Sequence, residues 1–245
     1  MIVKIYTSAQ LEDFARKKRE EFFSWRPQAS SAVDVYDFVD FVGCEPDWKY
    51  LTPDKSILGC VCFDNSCLPT WEDYMAKKSK HPVFMNFNRG TIVVDQALSE
   101  GVDRGKENFT VVHECFHWLL HQYFFSNTNS DSVHACNSNS FSLFECSEND
   151  SEINILEWQA NYATTCFLML RDDVAQAFIK RLRLKGFPQR PLELKRWVNA
   201  HISMLAKQFG VNFNPMKYRL QELKLREPLK IHSFPEDGLI CRFQA

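Results

Sequence analysis

The sequence predicts an α+β protein with a small β-sheet packed on helices and a helical segment towards the carboxyl end. Two short apolar runs bounded by turn residues, at 56–65 and 90–98, are typical of β-strands. Residues 152–170 carry apolar side chains at every third or fourth position, which predicts a helix. The 245 residues suffice for one large domain, or for a main domain with a small satellite.

Two further stretches are expected to lack regular secondary structure. Residues 66–89 are expected to be irregular, and residues 125–151, rich in Ser, Asn, Asp and Glu, are expected to form a surface loop. We predict one domain over residues 1–185 and a helical, helix-turn-helix-like segment over 186–245 that packs on it. The predicted elements, in order, are helices at 9–24 and 33–43, strands at 56–65 and 90–98, and helices at 108–122, 152–170, 172–185 and, in two or three pieces, 192–225.

The composition excludes two broad classes of protein. Hydrophobic residues make up 45% of the chain and aromatic residues 14%, so wholesale disorder is excluded. A formal net charge of −2 excludes a polycationic coat for nucleic acid. The charge is nevertheless uneven, because residues 180–230 hold 13 Lys and Arg against 3 Asp and Glu. We therefore expect the basic part and the acidic part of the chain to bind different partners, or to contact each other.

The sequence favours a cytoplasmic protein. No apolar run approaches the roughly 18–20 residues that span a bilayer, so we expect no membrane partner. The first residues, MIVKIYTSAQLEDFARKKREE, lack the long apolar stretch of a secretory signal. Nine cysteines without such a signal are expected to be reduced thiols.

The most informative string is HECFH, an HExxH motif at residues 113–117. On a helix, His113 and His117 lie one above the other, so both imidazoles can reach one metal ion. Glu114 lies about 100° round the helix from His113, where a carboxylate can act on a water molecule without ligating the metal. The same segment has an apolar stripe on its other side, which supports a helix with one ligand face.

A catalytic zinc site needs a third protein ligand and an open fourth position. The extended metzincin pattern would place a histidine at position 123, which is Tyr123 here. Three ligands in line on one helix close a tetrahedron poorly, so His121 is expected to be a cap or surface residue. Glu157 is the better third ligand, because it lies on the next strong helix. Asn161, one turn further on, is expected to accept a hydrogen bond from a ligand histidine.

These segments resemble a known family. NFTVVHECFHWLLH at 108–121, followed by EWQANYATTCFLM at 157–169, is similar to the ImmA/IrrE-type metallopeptidases of bacteria and their mobile elements. TIVVDQAL resembles the strand before their HExxH helix, and residues 205–225 resemble their downstream helices. The chain departs from the family pattern at Val112, at Ala163 and Thr164, and at Leu170. None of these departures removes a ligand, but they bear on the shape of the pocket.

The resemblance implies a zincin-like fold and a zinc-dependent endopeptidase. It implies one catalytic Zn²⁺ held by His113, His117 and Glu157, with Glu114 as the general base. It also implies a cytoplasmic protein substrate, commonly a helix-turn-helix transcriptional repressor. We expect no nucleic-acid partner, because the basic tail has few side chains suited to contact bases. Zinc would polarise the scissile carbonyl, and the strand at 91–95 is expected to border the cleft and to offer a free edge to an extended peptide.

Some features are left open by the sequence. An oxyanion donor is needed, but Tyr123, His134 and Tyr162 cannot be ranked. The thiols of Cys60, Cys62 and Cys67 form C-x-C-x₄-C, which admits a second, structural metal with a fourth ligand such as Cys44. Buried thiols without a metal are the simpler interpretation.

The carboxyl-terminal segment admits a different class of function, a DNA-binding regulatory protein whose zinc site is structural or vestigial. Asn214 and Pro215 are a plausible N-cap and first residue of a second helix in a helix-turn-helix. Lys217, Arg219 and Gln221 are the few side chains of that helix suited to contact bases. The alternative is a packing unit with solvated lysines, and a third possibility is an inactive relative that binds a partner.

Overall fold

A computed structural model of the chain describes residues 4–27, 32–72, 81–101, 104–126, 133–137, 152–183 and 191–225. It is an α+β structure, as predicted, with eight helices and six strands in those ranges. In chain order they are α1 Ser8–Trp25, α2 Val35–Phe41, β1 Glu45–Lys49, β2 Ile57–Cys62, β3 Ser66–Thr70, β4 Val83–Phe87, β5 Thr91–Asp95, α3 Gln96–Ser99, α4 Arg104–Ser126, β6 Val133–Asn137, α5 Glu152–Leu168, α6 Arg171–Arg183, α7 Pro191–Gln208 and α8 Phe213–Glu222.

Four strands form the main sheet in the order β1-β5-β2-β6. Strand β1 runs parallel to β5, whereas β2 is antiparallel to both β5 and β6, so that Cys60 pairs with Val93 on one side and Ala135 on the other. The prediction that residues 91–95 offer a free edge to a peptide is wrong. The backbone of β5 is already paired with β1 on one side and β2 on the other.

The stretch 66–89, expected to be irregular, instead contains the antiparallel pair β3–β4. Strand β4 is exposed at four of its five positions, so it lacks the alternation of apolar and polar residues that marks a half-buried strand. The predicted loop at 125–151 likewise contains strand β6, which pairs with β2. The rest of that loop, 127–132 and 138–151, lies outside the described residues.

The core lies where α4 packs against the sheet, α1, α2 and α5. Helix α4 contacts β2 and β5 on one side and α5 on the other. Phe38 of α2 and Phe167 of α5 have ring centroids 4.1 Å apart, and Phe116 of α4 lies edge-on to Phe167 at 5.6 Å. Helix α4 is therefore held from several sides, and its middle turns are fully enclosed.

The two carboxyl-terminal helices α7 and α8 share this core. Leu205, Met216 and Leu220 belong to the same buried cluster as the apolar residues of α4 and α5. The side chain of Asn108 on α4 donates a hydrogen bond of 2.9 Å to the carbonyl of Gly210, in the turn between α7 and α8. Residues 191–225 thus pack on the preceding elements, whereas the predicted domain boundary at 185 stays a prediction.

Two buried arginines donate hydrogen bonds to backbone carbonyls at the carboxyl-terminal end of α5. Arg19 of α1 donates to the carbonyl of Phe167 at 2.6 Å, and Arg219 of α8 donates to the carbonyl of Met169 at 3.0 Å. These carbonyls have no partner inside the helix, and cations near a helix C-terminus are also favoured by its dipole. Helix α5 is therefore tied to both α1 and α8. No helix of the described ranges is long and apolar enough to cross a membrane.

Candidate metal centre

The two histidines of the HExxH motif lie on adjacent turns of α4 and point the same way. The Nε2 atoms of His113 and His117 are 2.9 Å apart, and both side chains are buried, with 1% and 0% of their surface exposed. The spacing of four residues on a helix accounts for this convergence. The prediction that one helix face presents both imidazoles is confirmed.

Helix α5 brings Glu157 to the same place. Its Oε2 lies 3.4 Å from His113 Nε2, and its Oε1 lies 3.3 Å from His117 Nε2. The three ligand atoms all lie within 4.8 Å of one another, and within the described ranges these three residues are the one such group of His, Cys, Asp and Glu. The three residues that the sequence singled out as ligands are therefore brought together by α4 and α5.

The donor set fits a divalent metal ion. Two imidazole nitrogens and one carboxylate oxygen are the protein ligands found in one class of catalytic zinc site, with the fourth position left to water or substrate. The side chains that surround an ion at this position would already be desolvated, because all three are buried. A buried His-His-Glu group can thus hold a metal ion, and the chemistry of its donors suits zinc.

The side chain of Glu114 projects from α4 towards strand β2. Gly59 makes room for it, since a Cβ atom at that position would lie 3.2 Å from Glu114 Cγ and 2.7 Å from Thr110 Cγ2. Glu114 is fully buried, and neither carboxylate oxygen has a hydrogen-bond partner among the described residues. Burial raises the pKa of its carboxyl well above the usual range, and the negative charge of Glu157 raises it further. The carboxyl group is therefore suited to hold a proton.

The sequence matches neither a protein-family model nor a curated protein.

His121 is not the surface or capping residue that the sequence predicts. It is 2% exposed, because α5 covers this face of α4, and its Nδ1 lies 2.9 Å from Nδ1 of His117. Its Nε2 lies 3.2 Å from the side-chain oxygen of Gln159, a residue that sequence reasoning missed. The spacing of His121, one turn after His117, indicates that the two histidines share a face of α4, but no spacing indicates Gln159, because residues two apart on a helix do not share a face.

The predicted role of Asn161 is not confirmed for His113. Asn161 is buried, but Nδ1 of His113 has no hydrogen-bond partner among the described residues. His117 Nδ1 contacts His121. A role for Asn161 in orienting His117 stays a prediction.

Of the three candidates for the oxyanion donor, two are poorly suited. Tyr123 is 81% exposed, so its hydroxyl lies outside any enclosed site. The Tyr162 hydroxyl donates to a carboxylate oxygen of Glu222 at 2.5 Å, and burial together with this bond raises its pKa. His134 lies on strand β6 opposite Val61 of β2. The oxyanion donor thus stays unassigned.

The second metal site admitted by the cysteine spacing is not formed. Cys60 and Cys62 are buried in strand β2, Cys67 is exposed, and together with Cys44 they form no ligand cluster within the described residues. Burial raises the pKa of the Cys62 thiol to about 11. The thiols of Cys60 and Cys62, whose pKa burial raises, are therefore protonated near neutral pH and serve as small core residues.

The structure also corrects the helix-turn-helix interpretation of the tail. Helix α8 begins at Phe213 with Asn212 as its N-cap, instead of Asn214. Arg219, expected to face bases, is fully buried and donates to carboxylate oxygens of Glu222 and Glu12 at 2.8 Å each. A guanidinium that is buried and paired with two carboxylates cannot contact DNA bases. Arg219 is therefore removed from the few candidate base contacts.

Proposed function

We propose that this protein is a zinc-dependent endopeptidase of the ImmA/IrrE type, with His113, His117 and Glu157 as the metal ligands. The observation that carries the proposal is the buried convergence of these three side chains from α4 and α5. Two imidazoles and one carboxylate leave a tetrahedral ion one open position, as hydrolysis requires. Zinc is proposed because these ligand types and this number match its catalytic sites.

In the proposed reaction Glu114 is the general base. A bound zinc ion supplies a Lewis acid that polarises the scissile carbonyl and acidifies a water molecule. Glu114 takes the proton of the attacking water and delivers it to the nitrogen of the leaving amine, which keeps the proton count balanced. The position of Glu114 supports this role, because it follows His113 directly on α4 and its carboxylate is buried with the ligands.

We further propose a protein substrate in the cytoplasm, such as a helix-turn-helix transcriptional repressor. This part rests on the sequence resemblance of residues 108–121 and 157–169 to ImmA/IrrE-type enzymes. Cleavage of such a substrate would release the genes that it represses.

The test begins with metal analysis of the purified protein. We expect stoichiometric zinc in wild type and in Glu114→Gln, and loss of zinc in His113→Ala and His117→Ala. Glu157→Ala should bind zinc more weakly than wild type. If the wild-type protein takes up no zinc on titration, the metal proposal is overturned, and if Glu157→Ala binds zinc as tightly as wild type, the third ligand is wrong.

The catalytic test first uses the Glu114→Gln variant in a pull-down to capture a substrate protein. The captured protein is then the substrate in the cleavage assay. Wild type should cleave that protein, and Glu114→Gln should cleave it about 10²–10⁴-fold more slowly, the usual size of a general-base effect. Glu20→Gln, which makes the same chemical change at an exposed position of α1, is the matched control and should cleave at the wild-type rate. Equal rates for Glu114→Gln and wild type would show that Glu114 is not the base.

A further inference from the structure

We infer that His121 and Gln159 are positioning residues for the metal centre, and that the backbone carbonyl of Lys4 fixes the direction of their hydrogen bonds. The inference rests on the proposed zinc site and names what orients one of its ligands. The contacts form a continuous chain. His117 Nδ1 lies 2.9 Å from His121 Nδ1, His121 Nε2 lies 3.2 Å from Gln159 Oε1, and Gln159 Nε2 donates to the Lys4 carbonyl at 2.9 Å.

The direction of the chain is set at its far end. A backbone carbonyl can only accept a hydrogen bond, so the amide nitrogen of Gln159 has to face Lys4. The amide oxygen of Gln159 then faces His121, and that oxygen is also only an acceptor. His121 therefore carries its proton on Nε2.

The same reasoning continues to the metal ligand. A neutral imidazole with a proton on Nε2 has a lone pair on Nδ1, so His121 accepts a hydrogen bond from Nδ1 of His117. His117 thus keeps its proton on Nδ1, and its Nε2 carries the lone pair that a metal ion would take. That Nε2 atom is the one that lies next to His113 and Glu157. The chain selects the tautomer that can bind a metal.

Burial makes the selection effective. His117 and Gln159 have 0% of their surface exposed, and His121 has 2%, so bulk water does not compete for these hydrogen bonds. His113 has no equivalent support, because its Nδ1 lacks a partner in the described part of the chain. The two histidine ligands are therefore unlike, and His117 is the one whose orientation and tautomer are built into the fold.

The experiment uses the full chain and two readouts. Long-range ¹H–¹⁵N correlation spectra of the metal-free wild-type protein report which nitrogen of His117 carries the proton, and we expect Nδ1. Zinc affinity, measured by competition with a chromophoric chelator, should fall about 10–100-fold in His121→Phe, the usual effect of removing such a partner. His121→Gln, which keeps an acceptor and a donor, should restore most of the affinity.

The control is Thr165→Val, which removes a hydroxyl from the same helix as Gln159. The buried Thr165 hydroxyl has no hydrogen-bond partner among the residues that the structure describes, so zinc affinity should not change. Two results would overturn the inference: a proton on Nε2 of His117 in the wild-type spectrum, or wild-type zinc affinity in His121→Phe. The spectrum needs no variant, so the test survives a failure of His121→Phe to fold.

Failure of the inference and failure of the proposed function give different results. If wild type binds zinc and His121→Phe binds it equally well, the metal site stands and the positioning role is wrong. If wild type binds no zinc, the proposed function is wrong, and the tautomer of His117 still confirms or refutes the hydrogen-bond direction.

Discussion

Each of the three proposed ligands presents a lone pair to the same small buried volume. The Nε2 atoms of the two imidazoles lie 2.9 Å apart, and a carboxylate oxygen of Glu157 lies 3.4 Å from Nε2 of His113. A divalent ion satisfies all three donors at once. Binding of the ion to the folded state alone then stabilises the fold.

This argument predicts that zinc raises the stability of the protein. At a free zinc concentration about a hundred times the dissociation constant, the unfolding free energy should rise by about 2.7 kcal/mol. His113→Ala should abolish the increase, whereas His81→Ala, which removes an exposed histidine outside the site, should retain it. Thermal unfolding with zinc and with a chelator measures the effect. An equal zinc-induced shift in His113→Ala and wild type would contradict the assignment of this ligand.

The shared face of His113 and His117 could be predicted from sequence because a spacing of four residues on a helix sets it. Glu157 was predicted from its place on the next strong helix, and the packing of α5 on α4 brings it to the two histidines. His121 could not be predicted correctly for a physical reason. Residues 109–117 are buried without interruption, so this part of α4 has no solvent face and its periodicity does not show what covers each side. Gln159 was missed because a polar residue on a helix is ordinarily exposed, and only the tertiary contact with Lys4 explains its burial.

At the scale of elements, the close approach of strand β2 to helix α4 depends on one residue. Gly59 has no side chain, so the strand can lie directly against Thr110 and Glu114. A sheet packed this tightly on the helix encloses the carboxyl group of Glu114, and this burial is the main cause of its raised pKa. Any side chain at position 59 would push the strand and the helix apart.

We therefore predict that Gly59→Ala destabilises the protein by about 1–3 kcal/mol, the usual cost of overpacking a core. Its new methyl group would lie 2.7 Å from Cγ2 of Thr110. The double variant Gly59→Ala with Thr110→Ser should recover part of the loss, because serine lacks that methyl group. Urea unfolding of the two single variants and the double variant measures the coupling. Additive effects would show that the methyl contact is not the source of the strain.

The elements themselves were largely predictable, but the pairing of the strands was not. Strands β2 and β5 were predicted from their apolar runs, whereas β1 was missed because EPDWK carries a proline and charged residues at the edge of the sheet. The parallel pairing of β1 with β5 joins segments more than forty residues apart. Sequence periodicity contains no information on such partners, which explains why β5 was expected to have a free edge.

On the scale of the whole molecule, one carboxylate joins three helices that are distant in sequence. Glu12 of α1 accepts hydrogen bonds from Arg219 of α8 at 2.8 Å and from Arg171 of α6 at 2.9 Å. Arg219 in turn donates a hydrogen bond to the carbonyl of Met169, which directly follows α5, the helix that carries Glu157. The carboxyl-terminal segment is therefore linked to the metal centre through α5, and the basic character of the tail is partly used inside the molecule.

This arrangement predicts a loss of stability in acid that depends on Glu12. Burial raises the pKa of Glu12, but hydrogen bonds and charge from Arg171 and Arg219 outweigh burial and lower the pKa below its usual value. A lowered pKa in the folded state means that the contribution is complete above the unfolded value and is lost as the pH falls through the folded value. Wild type should therefore lose part of its unfolding free energy below about pH 4.5.

The test compares Glu12→Gln with wild type in urea unfolding from about pH 7 to about pH 3. Glu12→Gln should be less stable at neutral pH by about 1 kcal/mol, the low end for a hydrogen bond to a charged group, because Glu12 is partly exposed. Its stability should also fall less steeply in acid, since the titrating group is gone. Glu20→Gln, at an exposed position of the same helix, should follow the wild-type curve. Parallel curves for wild type and Glu12→Gln throughout this range would show that Glu12 does not couple α1 to the carboxyl-terminal helices.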